Sequence, residues 1–247
     1  MHSSEPEAYA PHGVAFGPAF TAPAHWRQID FISDLHLQAT EPLTFECWRN
    51  FMLSTPADAV FILGDLFEVW VGDDVVEQGL RSGDSPHSFE ARCKQVLQQA
   101  SQRMAVNFMH GNRDFLLGPA FATACGMTLL HDPTVLGFAN ARWLLTHGDA
   151  LCLADTEYIE FRTLVRSQKW QSDFLSQPLV QRQATARALR TQSESRKQSG
   201  ERTVHRVLKT STPGRSREPR RSRRTGLPPR SRRSCLRCTR CDRHPLP

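Results

Sequence analysis

Apolar residues in the first 150 positions fall into short runs, and most of these runs stop at a polar motif built from Gly, Asp, Asn or His. Ile29-Asp30-Phe31-Ile32 stops at Ser33-Asp34, and the fully apolar Ala59-Val60-Phe61-Ile62-Leu63 stops at Gly64-Asp65. Val106-Asn107-Phe108-Met109 gives way to His110-Gly111-Asn112, and Arg142-Trp143-Leu144-Leu145-Thr146 to His147. Runs of this length, rich in β-branched and aromatic residues, predict strands. Between them, Leu43, Phe45, Cys47, Trp48, Phe51, Met52 and Leu53 recur at helical spacing, and a second helix is predicted from about Ser88 to Arg103. Residues 115–125 predict a short helix, while 127–130 and 135–138 predict edge strands.

Strand, motif and helix thus alternate, with each motif just past the C-terminal end of a strand. Open α/β sheets bind their ligands there, because the loops converge over one edge. The pattern predicts a layered α/β sandwich. From Asp155 to about Ser199 the period becomes helical, carried by Tyr158, Ile159, Phe161, Leu164, Val165, Trp170, Phe174, Leu175, Leu179 and Val180 and broken at Pro178. After Glu201 no apolar period survives, and residues 202–247 contain no Phe, Trp or Tyr. Such a segment cannot bury enough surface to order itself. The expected organisation is a disordered leader over 1–26, a core over 27–154, a helical lid over 155–200 and a disordered Arg-rich tail over 201–247.

Charge sharpens that division. The chain carries +6 overall, yet residues 202–247 hold 14 Arg and one Lys against only Glu218 and Asp242, a net +13. The first 201 residues therefore carry about −7, so whole-chain charge is no guide to partners. Cys47, Cys93, Cys125 and Cys152 stand singly among apolar neighbours, as buried reduced thiols of a cytoplasmic protein do. The leader has neither the basic nor the apolar region of a signal peptide, and no stretch reaches the roughly 18–20 apolar residues that span a bilayer.

The four motifs supply hard oxygen and imidazole ligands. Asp34 and His36 share one side of an extended segment, since alternate residues face the same way. Asp65, after the tight turn of Gly64, is the expected bridging carboxylate of a two-metal site, whose ions lie about 3.5–4 Å apart. Asn112 adds an amide oxygen and His147 a second imidazole. This mixed set suits Mn²⁺ or Fe²⁺ and has too few thiolates for structural zinc. Arg113, beside a ligand, is placed to grip a phosphate oxygen. Any one motif occurs by chance, a Gly-Asp pair usually marking only a turn. Four in order, each after a strand, point to phosphoester hydrolysis, with no catalytic residue expected beyond the ligands.

Asp34-Leu35-His36, Gly64-Asp65, Gly111-Asn112-Arg113-Asp114 and His147-Gly148-Asp149 resemble the signature of calcineurin-like metallophosphoesterases. A finer resemblance, over residues 27–200, is to the UDP-2,3-diacylglucosamine diphosphatases of lipid A synthesis. It rests on Leu66-Phe67-Glu68-Val69-Trp70-Val71-Gly72-Asp73-Asp74, Asn112-Arg113-Asp114-Phe115-Leu116 and Thr146-His147-Gly148-Asp149-Ala150. The resemblance implies a calcineurin-like sandwich with a helical lid and two Mn²⁺ per site. It also implies pyrophosphate cleavage in UDP-2,3-diacylglucosamine, giving UMP and 2,3-diacylglucosamine 1-phosphate. Asn112, Arg113, Asp155, Ser193 and Lys197 match substrate-contacting positions. A monomer at the cytoplasmic face of the inner membrane is implied as well. The stripe Trp170, Phe174, Leu175, Leu179 and Val180 has two readings, an apolar cleft for acyl chains or the packing of lid helices.

The family's fifth motif, Gly-His-x-His, has no counterpart: beyond residue 200 only His205 and His244 remain, neither with a second His two positions on. The abrupt change near 201–204 to Arg, Ser, Pro and Cys is what a GC-rich gene yields out of frame. The expectation is a frameshifted C-terminus, a core lacking its C-terminal part, and impaired turnover. Two alternatives stand beside it: an inactive remnant, and a nucleotide phosphodiesterase or pyrophosphatase with a tail that binds nucleic acid by charge. Cys235, Cys238, Cys241 and His244 have a spacing that zinc tolerates. No aromatic residues interleave with the arginines to stack bases, so no specific nucleic acid is expected as a partner.

Overall fold

A computed structural model describes residues 17–77 and 88–198, with side chains to residue 191. The 201–247 tail, its cysteines and the expected frameshift lie outside the described residues, as do positions 1–16.

Strand β3 (Ala59–Leu63) explains the architecture. Every residue in it is apolar because both its faces are covered: Val60 and Ile62 point into one core, Ala59 and Phe61 into another. It pairs in parallel with β2 (Ile29–Ile32) and β4 (Ala105–Met109), and β4 pairs with β5 (Met127–Leu130). On one face lie α1 (Pro42–Ser54), α2 (Phe89–Ser101) and α3 (Pro119–Cys125), which contribute Phe45, Trp48, Met52, Leu97 and Phe121. On the other lies a second sheet: β1 (Phe20–Thr21), β6 (Thr134–Phe138) and β7 (Ala141–Leu145), in the order β1-β6-β7. Leu136 and Leu145 close that second core with Phe61 and Met109.

Local signals set the boundaries. Ser88 caps α2 by accepting the Ala91 amide at 3.2 Å, so the helix predicted from Ser88 starts one residue later. The helix expected over 115–125 begins only at Pro119, whose fixed φ suits a first helical position, and ends at Gly126 in the left-handed region. A two-residue turn joins β6 to β7 with Ala139 and Asn140 both at positive φ, matching the twist of a tight hairpin. Residues 135–138, expected at an edge, form the middle of the second sheet, because β1 pairs with β6. The same pairing corrects the leader: residues 17–26 are ordered, and Phe20 and Trp26 pack on the second core. Cys93 and Cys125 are buried as expected, but Cys47 is exposed on the outer face of α1. Burial pushes the Cys125 thiol up to about 12, well away from reactivity.

After β7 a short 3₁₀ turn (Asp149–Leu151) leads to the lid helices α4 (Thr156–Val165), α5 (Gln168–Leu175) and α6 (Leu179–Gln198). Phe174 enters the main core and stacks on Trp170 with centroids 4.7 Å apart. Among the described residues no helix is long and apolar enough to cross a membrane.

Candidate metal centre and groove

Loops from both sheets converge at Asp65. Segments 34–37 and 64–67 run side by side, with amides of Asp34, His36 and Leu37 donating to carbonyls of Gly64, Asp65 and Leu66 at 2.8–3.1 Å. Asp34, His36 and Asp65 all have φ between 50° and 55°, a conformation that non-glycine residues hold only where the surroundings enforce it. Gly64 and Gly111 allow the close approach. A methyl on Gly64 would lie 2.5 Å from His147 Nδ1, and one on Gly111 would run into the Asp65 carboxylate.

Asp114 fixes this arrangement. It is fully buried and accepts amides from Gly111 at 2.9 Å, Leu66 at 2.7 Å, Asp65 at 3.3 Å and Phe67 at 3.4 Å, joining two turns far apart in sequence. Burial pushes its carboxyl up to about 6 despite those donors.

Five of the residues singled out from the sequence meet here. Single ligand atoms of Asp34, His36 and Asp65 all lie within 4.8 Å of one another. His36 Nε2 lies 3.8 Å from Asp65 Oδ2, and His147 Nε2 lies 3.8 Å from Asp65 Oδ1. One buried carboxylate therefore turns a separate oxygen toward each of two imidazoles, at distances too long for hydrogen bonds. Each imidazole is oriented from behind. His147 Nδ1 lies 2.9 Å from the Leu63 carbonyl, and His36 Nδ1 lies 3.2 Å from Glu68 Oε2, at hydrogen-bonding distance though poorly aligned. With Nδ1 carrying the proton, both Nε2 lone pairs face Asp65. Asn112 turns its amide oxygen toward the same carboxylate; turned over, its nitrogen would donate to Asp65 at 2.6 and 3.1 Å. Burial holds the Asp65 carboxyl above the ordinary range, an imbalance that adjacent positive charge would relieve. Imidazole nitrogens and a carboxylate turned toward each other at 3.8 Å, too far apart to hydrogen-bond, fit divalent cations.

The loop holding His147 comes from β7, so two sheets build the site, not the single edge expected from the sequence. Asp132 steadies it, accepting Thr146 Oγ1 at 2.7 Å and the His147 amide at 3.3 Å.

A groove of about 1080 Å³ runs from this centre beneath the lid. Glu68, Asn112 and Arg113 stand at one end, and Phe161, Leu164 and Trp170 are among its apolar walls. Of the stripe proposed for an apolar cleft, Trp170 and Phe174 line the groove. Leu179 packs on the main core, so helix packing accounts for part of the stripe, while Leu175 and Val180, 41% and 72% exposed, fit neither reading. Asp155 lies on the groove wall and also caps α4, accepting the Tyr158 amide at 3.0 Å. Ser193 and Lys197 fall in the last turns of α6, where only the backbone is described.

Several residues that organise this site carry no expected role from the sequence, although Asp149, Glu68, Asp73 and Asp74 stand in the motifs and strings that resemble the family. Asp149 receives Tyr158 Oη and Arg162 Nε at 2.9 Å each and Arg166 at 3.4 Å, tying α4 to the His147 loop. Arg182 is 2% exposed and pairs with Asp74 while donating to the Val71 carbonyl, which bolts α6 to the core. Asp73 caps α3 through the Gly118 and Phe121 amides, both at 2.8 Å. Glu68 receives both Arg113 and Arg190. In sequence none of them announces its partner, and only the folded contacts reveal their roles.

No family model matches the chain. Individual proteins do. A UDP-2,3-diacylglucosamine hydrolase of Hahella chejuensis is 44% identical over 170 residues, covering 68% of this chain and 66% of that protein. The protein of the same name from Chromobacterium violaceum is 42% identical over 177 residues, covering 69% and 68%. A third, from Cellvibrio japonicus, is 41% identical over 167 residues, covering 67% and 66%. The chain thus spans about two thirds of the length of the curated relatives it matches. A solved structure of a protein of unknown function from Aquifex aeolicus aligns at a TM-score of 0.32 and 14% identity, too distant to support any inference. Identity of 42% over 177 residues, more than two thirds of each chain, decides the matter: the chain belongs to the family of UDP-2,3-diacylglucosamine hydrolases.

Proposed function

We propose that this chain carries the pyrophosphohydrolase site for UDP-2,3-diacylglucosamine, releasing UMP and 2,3-diacylglucosamine 1-phosphate for lipid A synthesis. The observation that carries the reading is Asp65, a buried carboxylate facing imidazole Nε2 atoms on both sides beside an apolar groove. Asp34, His36, Asp65, Asn112 and His147 would hold two Mn²⁺. Ions so placed supply Lewis acidity toward phosphoryl oxygens and lower the pKa of a water.

The chain's own residues do the rest. Arg113 stands where the groove meets Asp65, its backbone amide donating to Asp65 Oδ1 at 2.9 Å and its buried Nε having no partner among the described residues. The partly exposed guanidinium lines the groove, where its fork of donors suits a phosphate oxygen. Asn112, Asp155, Ser193 and Lys197 are proposed as further substrate contacts, Asp155 combining this with its capping role. The apolar walls suit acyl chains, whose burial helps hold the reacting pyrophosphate in place. Exposed Leu151 and Leu153, just before Asp155, extend that apolar surface and support docking of a monomer at a bilayer face, on the cytoplasmic side where UDP-sugars are found. The names of the relatives favour this reading over a nucleotide phosphodiesterase with a nucleic-acid-binding tail.

Because the sequence carries no Gly-His-x-His, we propose that turnover by the 247-residue chain is low. It is expected to rise when the segment after residue 200 is replaced by that of the Hahella relative. With Mn²⁺ present, ³¹P NMR of this hybrid should show UMP formed from UDP-2,3-diacylglucosamine far faster than from UDP-N-acetylglucosamine. Equal rates on the two substrates would point to a generic nucleotide pyrophosphatase.

A further inference from the structure

The two imidazoles that face Asp65 are held from behind in different ways. His147 leans on a backbone carbonyl, which is fixed by the strand it belongs to. His36 leans on a side chain, Glu68, whose remaining oxygen is shared with two arginines. Glu68 sits one residue past the Leu37–Phe67 bridge, with its amide donating to the Leu37 carbonyl at 3.1 Å, so its backbone cannot drift from the His36 segment. Its side chain is 10% exposed. Oε2 lies 3.2 Å from His36 Nδ1, while Oε1 lies 3.1 Å from Arg190 Nη1 and 3.7 Å from Arg113 Nη1. Arg190 belongs to lid helix α6, and Arg113 to the loop of Asn112.

A buried carboxylate needs partners to stay ionised and in place. Here the partners come from the lid and from the groove wall, while the carboxylate's other oxygen faces the imidazole. We propose that Glu68 is a positioning residue that sets the tautomer of His36, and that the lid acts on the Asp65 site through the Arg190–Glu68 pair. The inference rests on reading Asp65 as the centre of a metal site. It adds that lid position and the readiness of His36 Nε2 are linked. With α6 docked, Arg190 holds Oε1 and leaves Oε2 3.2 Å from Nδ1, where its charge favours a proton on that nitrogen; with α6 displaced, Glu68 loses its nearest cation and its hold on the ring loosens. Outer partners of a ligating imidazole act in this way generally, and their loss weakens metal binding by about 10–100-fold.

The test uses the full 247-residue chain, metal-free and ¹⁵N-labelled at histidine, at a pH chosen from the spectra so that the His36 ring is neutral. Long-range ¹H–¹⁵N spectra report each tautomer, and the His36 signal is identified by its loss in His36→Gln. Wild type should show His36 with its proton on Nδ1. Glu68→Gln should retain that form through its amide oxygen, and Glu68→Leu should give a tautomer mixture. Arg190→Ala, a half-buried site on α6 whose removal leaves the core intact, should shift the His36 signal and leave His147 unchanged. An unmoved His36 in Arg190→Ala would overturn the link to the lid, and a preserved tautomer in Glu68→Leu would overturn the positioning role. Mn²⁺ affinity, read from free-ion EPR, gives a second measure. Glu68→Leu should weaken binding by about 10–100-fold, and adding Arg190→Ala should weaken it no further. Additive losses would mean that Arg190 acts by another route. Neither measurement requires turnover, so the inference can fail or stand separately from the proposed substrate.

Discussion

Asp114 and Arg113 are neighbours with opposite tasks. Asp114 points inward, and its four backbone donors belong to the turns that carry Asp65 and Asn112. Replacing it by Ala leaves buried amides without acceptors, which costs about 3 kcal/mol or more. Urea unfolding should show that loss, together with weakened Mn²⁺ binding. Arg113 lines the groove, with its side chain 19% exposed there. In the hybrid described above, Arg113→Ala should lower kcat/KM by at least about 10-fold while shifting the unfolding midpoint little, as expected for a charge-assisted phosphate contact worth about 1.5–3 kcal/mol. A fall in stability without a fall in kcat/KM would assign Arg113 to the fold and not to the site.

At the scale of elements, the lid is held by a few polar bolts beside one aromatic plug. Phe174 enters the core, Arg182 reaches Asp74 and Val71, and Arg162 and Arg166 converge on Asp149. Arg182→Ala should loosen α6 at a cost of roughly 1–3 kcal/mol, discounted because the Asp74 side chain is 40% exposed. A Tm lower by roughly 2–10 °C and a red-shifted Trp170 emission would accompany it. What could be read in advance follows the same division. β3 and β4 were legible because apolar runs ending in Gly-Asp or Gly-Asn carry both strand and site in a few adjacent residues. The bolts were not, because Arg182 and Asp74 are 108 positions apart and each alone looks like a solvated charge. β1 was hidden for a related reason: two residues beside Pro and Gly carry no period, and only pairing with β6 makes them a strand. The roles of Glu68 and Asp149 were likewise invisible without the lid folded against them.

In the whole molecule, two sheets face each other across one core, and their loops converge so that candidate ligands from positions 34 to 147 gather around a single carboxylate. Helices cover one side of the assembly, and the lid roofs the groove that leads from the site. The family relationship rests on a match of 170–177 residues, about two thirds of the relatives' length. The central claim is that Asp65 is shared between two metal positions. Mn²⁺ titration of the hybrid, followed by EPR, tests it most directly: the parent should bind two ions with the spin-coupled spectrum of a neighbouring pair. Asp65→Ala should lose that coupling and bind at most one ion. Two ions bound per molecule of Asp65→Ala, still spin-coupled, would contradict the claim.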